Sequence, residues 1–358
     1  MATDLTSGSK VSTRPSSSTS ELFGGTYARG PATIEVSDTA WVQAMLDVEH
    51  ALGGPALTAE QVDIAELGRL AADHISPAVP LAVRFSATHT GATSQDIIDT
   101  AMMLVSARAL KPLLKDAAAG SQAAARLAHV HRTTPVMGRT LLQDAVPTSL
   151  GLKAAGWMTT IDEAVAELRS VPLAVQMGGP VGHRDPAVAT RVAEQLKLAS
   201  PVIPWHTDRI RPVRLACALG LLAGAFAKIA RDVTLSAVLR EGDPDSAHPR
   251  GGSSAMQHKR NPVAAVSVLA CSKRVPGLVA TMLASMEQED ERAAGAWQAE
   301  WGTLTDLLRL TGSAAAWGRD LLEHLQVDAA AAAASAGADP DLGFAGELVD
   351  RALKAHHR

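Results

Sequence analysis

The chain has 358 residues, 47% of them hydrophobic and only 3% aromatic, with a formal net charge of −4. That length is enough to bury one large core or two modest ones, and the acidic balance argues against a nucleic-acid binder, which carries a basic excess. No uninterrupted apolar run reaches the roughly 18 residues that span a bilayer, since even "LACALGLLAGAFAKIARD" is broken by Lys228 and Arg231.

Residues 1–20, "MATDLTSGSKVSTRPSSSTS", are rich in serine and threonine and lack the apolar segment of a signal peptide. They read as a disordered tail, and the protein as cytoplasmic. Beyond them strand signals are scarce and helical ones are long, so the expected fold class is all-α, a long-helix bundle. From Asp96 to about His131 apolar residues recur at spacings of three and four, with Pro112 inside as a possible kink. Further helices are expected at about Thr148–Ser170 and Ile210–Arg240, after Pro262, and at about Glu300–Leu325. The run after Val327, "DAAAAAASAGADPDLG", reads as a weakly determined linker before a short helix from Phe344 to His356. This divides the chain into an N-terminal helical domain (21–95), a central long-helix bundle (96–325) and a reduced C-terminal remnant (326–358).

Several of these helices are apolar on more than one face, "LACALGLLAGAF" for example. A helix apolar all round must be covered on all sides, which one chain of this size does not achieve, so a homo-oligomer sharing a bundle is expected. Cys217 and Cys271 sit in apolar helical patterns with no partner at metal-ligand spacing and read as small buried hydrophobes.

One segment breaks the apolar pattern. Arg250–Pro262, "RGGSSAMQHKRNP", has glycines that permit close backbone approach, amides able to form an anion nest, and the charges of Lys259 and Arg260. An ordinary solvated loop and a loop for a multiply anionic ligand both fit these residues. "GSSAMQHKRNP" closely resembles the G-S-S-x-M-P-x-K-x-N-P signature of the fumarase/aspartase superfamily, which includes adenylosuccinate and argininosuccinate lyases. "HTGATSQD", His89–Asp96, resembles that superfamily's H-x-G-x-T-S-x-D region, although Thr93 or Ser94 would equally cap a helix there. "GRTLLQDAVPTSLGLKAAGW", Gly138–Trp157, corresponds to a region where adenylosuccinate lyases carry a proton-transferring histidine. Leu141 stands in its place, and the wording is similar to the lactonising, cycloisomerase branch. "PWHTDRI", "GLLAGAFAKIARDV" and "QEDERAAGAWQAEW" support the same branch.

The resemblance implies closure of 3-carboxy-cis,cis-muconate to a lactone, with Ser253 as the proton-transfer residue and His89 as a second catalytic residue. It implies that Lys259, Asn261 and Arg292 bind substrate carboxylates, joined by Arg209, while Thr93, Ser94 and Gln143 orient the substrate. It further implies a homotetramer whose sites are shared between subunits, a small-molecule polycarboxylate as the only other partner, and no metal or organic cofactor. Gln257, Asp290 and Thr90 depart from the pattern, and the C-terminal domain is nearly absent between Val327 and Asp339. Another lyase acting on a succinyl-type adduct, or a non-enzymatic homologue, are the alternatives.

Overall fold

The computed structural model describes residues 21–85, 91–245, 250–256 and 258–357. The expected tail, His89 and Gln257 lie outside the described residues. A short helix α1 (Glu21–Gly24) leads into α2 (Asp38–Ala51), α3 (Ile64–His74) and α4 (Ala78–Phe85). The frame is then set by α5 (Ser94–Val130), α6 (Leu150–Arg169), α8 (Ile210–Leu235), α9 (Val263–Ala284) and α10 (Ala296–Glu323), with the shorter α7 (Pro186–Leu196) between them. Two more helices follow, α11 (Ala329–Ala336) and α12 (Ala345–His356).

Helix α5 has 37 residues, about 55 Å at 1.5 Å per residue. It runs parallel to α10, because Trp297 Nε1 donates to Asp99 near their starts and Arg319 pairs with Asp116 further along. Helix α8 lies with them: Phe226 packs on Gly120 of α5 and on Gly318 of α10. A Cβ at Gly318 would stand 2.2 Å from the Phe226 ring, so only glycine admits this contact. The small residues of these helices, Ala109, Ala117, Ala124, Ala216, Ala223, Ala314 and Ala315 among them, are fully or nearly fully buried. They allow close helix approach and explain how so few aromatics fill so long a core.

The structure departs from the expected elements at four points. Helix α5 continues through Pro112 as one helix. The helix expected from Thr148 begins only at Leu150, because β1 (Pro135–Thr140) and β2 (Gln143–Ser149) form an antiparallel hairpin and Ser149 Oγ caps the helix by accepting from Leu152 N–H. Helices α8 and α10 end before Arg240 and Leu325, peeling into a second antiparallel pair, β3 (Leu239–Glu241) with β4 (Leu325–Val327). Ser236 Oγ turns the first of these by accepting from the N–H groups of Val238 and Leu239. The alanine run expected as a linker is helix α11, capped by Asp328 accepting from Ala331 N–H; alanine's helix propensity suffices once a cap is present. The two strand pairs qualify the all-α expectation without altering the helical frame.

By length and apolarity alone α8 and α9 would cross a bilayer, yet they pack on each other and on α10 as bundle helices. Their remaining faces leave Leu221, Leu235, Val266 and Leu283 about half exposed. Cys271 is buried and Cys217 partly so, both as free thiols.

Candidate functional site

The segments singled out above are carried to three places. The first is the amino end of α5. Thr93 is its N-cap and gives its backbone N–H to the Asp96 carboxylate at 3.0 Å, so the capping role holds. Asp96 is buried and also accepts from Gly178 N–H (2.9 Å), Gly179 N–H (2.8 Å) and Gln176 Nε2 (3.0 Å), with His206 Nε2 at 3.2 Å. One carboxylate thereby clamps the loop Gln176–Arg184 onto the helix start.

Arg292 arrives from the stretch before α10. Its Nη1 donates to Thr93 Oγ1 at 2.6 Å and its Nη2 to the carbonyl of Pro180 at 3.4 Å. Both acceptors are neutral, and no ion pair engages Arg292 among the described residues. Its charge is oriented yet uncompensated, beside the positive end of a long helix dipole. Asp290 does not pair with Arg292; it sits at φ 44° and its carbonyl accepts from Thr207 Oγ1. Ser94, the first residue of α5, lies partly exposed at the same corner.

Arg209 requires a correction. Its side chain is fully buried, pairing with Asp99 at 2.7 Å and Glu300 at 2.6 Å. Nε, Nη1 and Nη2 are all engaged, Nη1 also with the His206 carbonyl and Nη2 also with Asp99 Oδ1. Trp297 Nε1 and Gln95 Nε2 donate to Asp99, and Gln288 Nε2 to Glu300. Burial works to lower the guanidinium, but the two carboxylates outweigh it and hold it above its ordinary value. Burial pushes Glu300 up to about 7 against the downward pull of Arg209, and the neighbouring Asp99 carboxylate adds to the rise. Arg209 joins α5, α8 and α10 beneath the corner; a substrate has no access to it.

The second place is the loop after β3, about 40 Å from the corner along the 28 residues of α10. Its base is closed by Asn261, whose N–H and Nδ2 both donate to the Gly251 carbonyl (2.8 and 3.1 Å). Gly251 has φ +74°, and a Cβ there would stand 2.2 Å from the Asn261 carbonyl oxygen, so glycine is obligatory. Arg250 anchors the strap on Asp320 at 2.7 Å, and the Glu241 carboxylate caps α9 by accepting from Ala264 and Ala265 N–H. Ser253 Oγ accepts from the N–H groups of Met256 (3.2 Å) and Ala255 (3.4 Å). Lys259 and Asn261 are exposed.

The third place is the β1–β2 hairpin. Its two-residue tip, Leu141 and Leu142, has φ of 51° and 65°, a left-handed geometry disfavoured for leucine. Both side chains are exposed, 96% and 72%, with Gln143 exposed beside them. The hairpin base is held from behind: Met137 N–H donates to Ser335 Oγ, and Arg132 makes a bidentate pair with Asp350 (2.6 and 2.7 Å). Within the chain, therefore, Thr93, Ser94 and Arg292 come together. Ser253, Lys259 and Asn261 form a second group, and Gln143 stands apart.

Sequence reasoning missed the loop Gln176–Arg184. The guanidinium of Arg184 lies 3.6 Å from where a Cβ at Gly91 would stand, two residues from Thr93. The glycines of "QMGGPVGHR" were the available signal, since a Cβ at Gly179 would meet the Gly91 carbonyl at 2.7 Å.

The Lyase family matches residues 80–277. A 3-carboxy-cis,cis-muconate cycloisomerase of Bradyrhizobium diazoefficiens is 40% identical, covering 82% of this chain and 74% of the relative. A nitrosuccinate lyase of Streptomyces davaonensis is 36% identical, covering 87% and 75%. Among solved structures, the 3-carboxy-cis,cis-muconate lactonizing enzyme of Pseudomonas putida superposes with a TM-score of 0.84 at 30% identity, covering 95% of this chain and 99% of that one.

Proposed function

The chain belongs to this lyase family, and we propose that it is a 3-carboxy-cis,cis-muconate cycloisomerase working as a homotetramer. The observation that carries the reading is the uncompensated Arg292 guanidinium at the amino end of α5, a ready seat for a substrate carboxylate. Cycloisomerases match this chain over most of its length.

In the forward reaction one carboxylate oxygen adds to a carbon of a C=C bond. The electron pair moves onto the neighbouring carbon and into its carboxylate, as a dianionic aci-carboxylate. A proton delivered to that carbon completes the lactone. Preorganised cations and N–H groups at the aci-carboxylate lower this barrier, the part taken by Lys259, Asn261 and Arg292. Ser253 delivers the proton. The two backbone N–H groups aimed at its Oγ favour the alkoxide left behind, which a serine otherwise does not sustain near neutrality. His89 acts as the second proton carrier, and Thr93, Ser94 and Gln143 hold the substrate in register.

The separation of the three segments within one protomer supports a site built from several subunits. So does the half-exposed apolar face of α8 and α9. The strained hairpin tip fits the same picture, because a partner surface covering Leu141 and Leu142 repays the strain.

The test is an ultraviolet assay with 3-carboxy-cis,cis-muconate, whose conjugated diene is consumed on lactonisation, beside light scattering. Loss of absorbance with wild type and none with Ser253→Ala is expected, on a particle of four chains. A flat trace from a tetramer overturns the cycloisomerase reading in favour of elimination from a succinyl-type adduct, for which nitrosuccinate is the first compound to try. A flat trace from a monomer leaves a non-catalytic homologue.

A further inference from the structure

The loop that carries Ser253, Lys259 and Asn261 leaves the frame at Arg250 and rejoins it at Pro262, and one carboxylate meets both ends. Glu241, the last residue of β3, has a buried side chain, 7% exposed. Its oxygens accept from the N–H groups of Ala264 (2.9 Å) and Ala265 (3.2 Å) in the first turn of α9. That helix begins after Pro262, which makes no side-chain cap of its own. The same carboxylate lies 3.5 Å from the Arg250 guanidinium. Arg250 also pairs with Asp320 of α10, at 2.7 and 3.3 Å, and gives its backbone N–H to Asp243 at 2.9 Å. Asp320 is buried and held in turn by Arg29 and by His324 Nδ1 at 3.0 Å. Both arginines lie over the Trp317 ring, Arg29 at 3.9 Å and Arg250 at 5.7 Å from its centroid. Inside these anchors the loop is closed on itself by the Gly251–Asn261 bonds and by a bridge between Gly252 and Arg260. The described bonds of the Ser253 and Asn261 side chains run within the loop. Its placement on the frame is therefore set at Glu241, Arg250 and Asp320.

We propose that Glu241 and Arg250 are positioning residues: their ion pair ties the two ends of the loop to one point of the frame and so fixes where Ser253 stands relative to Lys259 and Asn261. The consequence for turnover rests on the reading of those three as site residues. The tie itself rests only on the geometry.

The experiment uses the full-length protein, with Glu241→Gln, Arg250→Gln, the two combined, and Arg250→Lys. Asp63→Ala, which removes the cap that Glu66 N–H makes on Asp63 at the start of α3, is the stability control. Turnover on 3-carboxy-cis,cis-muconate, Tm and hydrogen exchange over residues 250–262 are measured. Each glutamine variant is expected to lower kcat about tenfold and to raise KM by less, with faster exchange in the loop and unchanged exchange in α10. The double variant is expected to fall no further than the worse single one, because the two residues act through one tie. Arg250→Lys keeps the charge without the planar fork, and is expected to recover part of the loss. Asp63→Ala is expected to lower Tm with kcat unchanged. Wild-type kcat and loop exchange in both glutamine variants overturn the proposal. So do losses that add in the double variant, or a fall in kcat that Asp63→Ala reproduces at the same Tm, the signature of a merely structural role. Should Glu241→Gln not fold, Arg250→Gln and Arg250→Lys decide by the same criteria. If wild type turns over nothing, the cycloisomerase reading falls and loop exchange alone judges the tie: faster exchange in the variants upholds it, and unchanged exchange overturns it.

Discussion

The two ends of the bundle use the same residue types to opposite effect. Beneath the α5 corner, Arg209, Asp99 and Glu300 are buried, mutually paired and further held by Trp297, Gln95 and Gln288. In the Gly251–Pro262 loop, Lys259 and Arg260 are exposed and make no ion pair among the described residues. A buried charge must be paired where it stands, so its partners belong to the frame. An exposed charge on a glycine-rich backbone keeps its hydration and is free to exchange it for an anionic ligand. The corner itself joins both regimes, with Arg209 below and Arg292 above.

Four measurements break or sharpen this contrast. Ser253→Ala is expected to lower turnover by about 10²–10⁴-fold while the Tm stays at the wild-type value; a large fall in Tm would make the loop part of the frame. Arg209→Ala leaves two carboxylates buried around a missing cation and is expected to cost about 3–5 kcal/mol in urea denaturation. A loss under about 1 kcal/mol would put Arg209 among ordinary surface charges.

Glu300 supplies the third. Its carboxyl rises from 4.5 to about 7 on folding, so the folded protein binds the proton more tightly than the unfolded chain does. The stability this contributes is complete below pH 4.5 and is lost as pH rises to about 7. Glu300→Gln mimics the protonated carboxyl, and its Tm is expected to fall less than that of wild type across this window. Parallel pH profiles would overturn the assignment. The smallest effect belongs to the hairpin tip: Leu141→Asn with Leu142→Gly suits the left-handed turn and is expected to stabilise the isolated protomer by about 1–2 kcal/mol. In a tetramer that covers these leucines the gain shrinks or reverses.

Much of this was legible in the sequence because it is local. The long helices show in the spacing of apolar residues, the cap at Thr93 in "TSQD", and the flexible base of the second group in the glycines of "RGGSS". Where local signals failed, a distant partner was responsible. Helices α8 and α10 stop early because Leu239–Glu241 and Leu325–Val327 pair with each other. The run around Ala145–Ser149 is a strand because Pro135–Thr140 lies beside it.

The burial of Arg209 was not legible at all. "PWHTDRI" and "GGPVGHRD" look equally polar as strings, yet one places Arg209 in the core and the other leaves Arg184 half-buried over Gly91. The partners of Arg209 lie 110 and 91 positions away in the chain. Propensity and periodicity depend on neighbours within a few residues, and these the sequence determines by itself. Whether a charge is buried in the frame or left near the surface depends on which remote segments fold against it, and only the tertiary structure decides that.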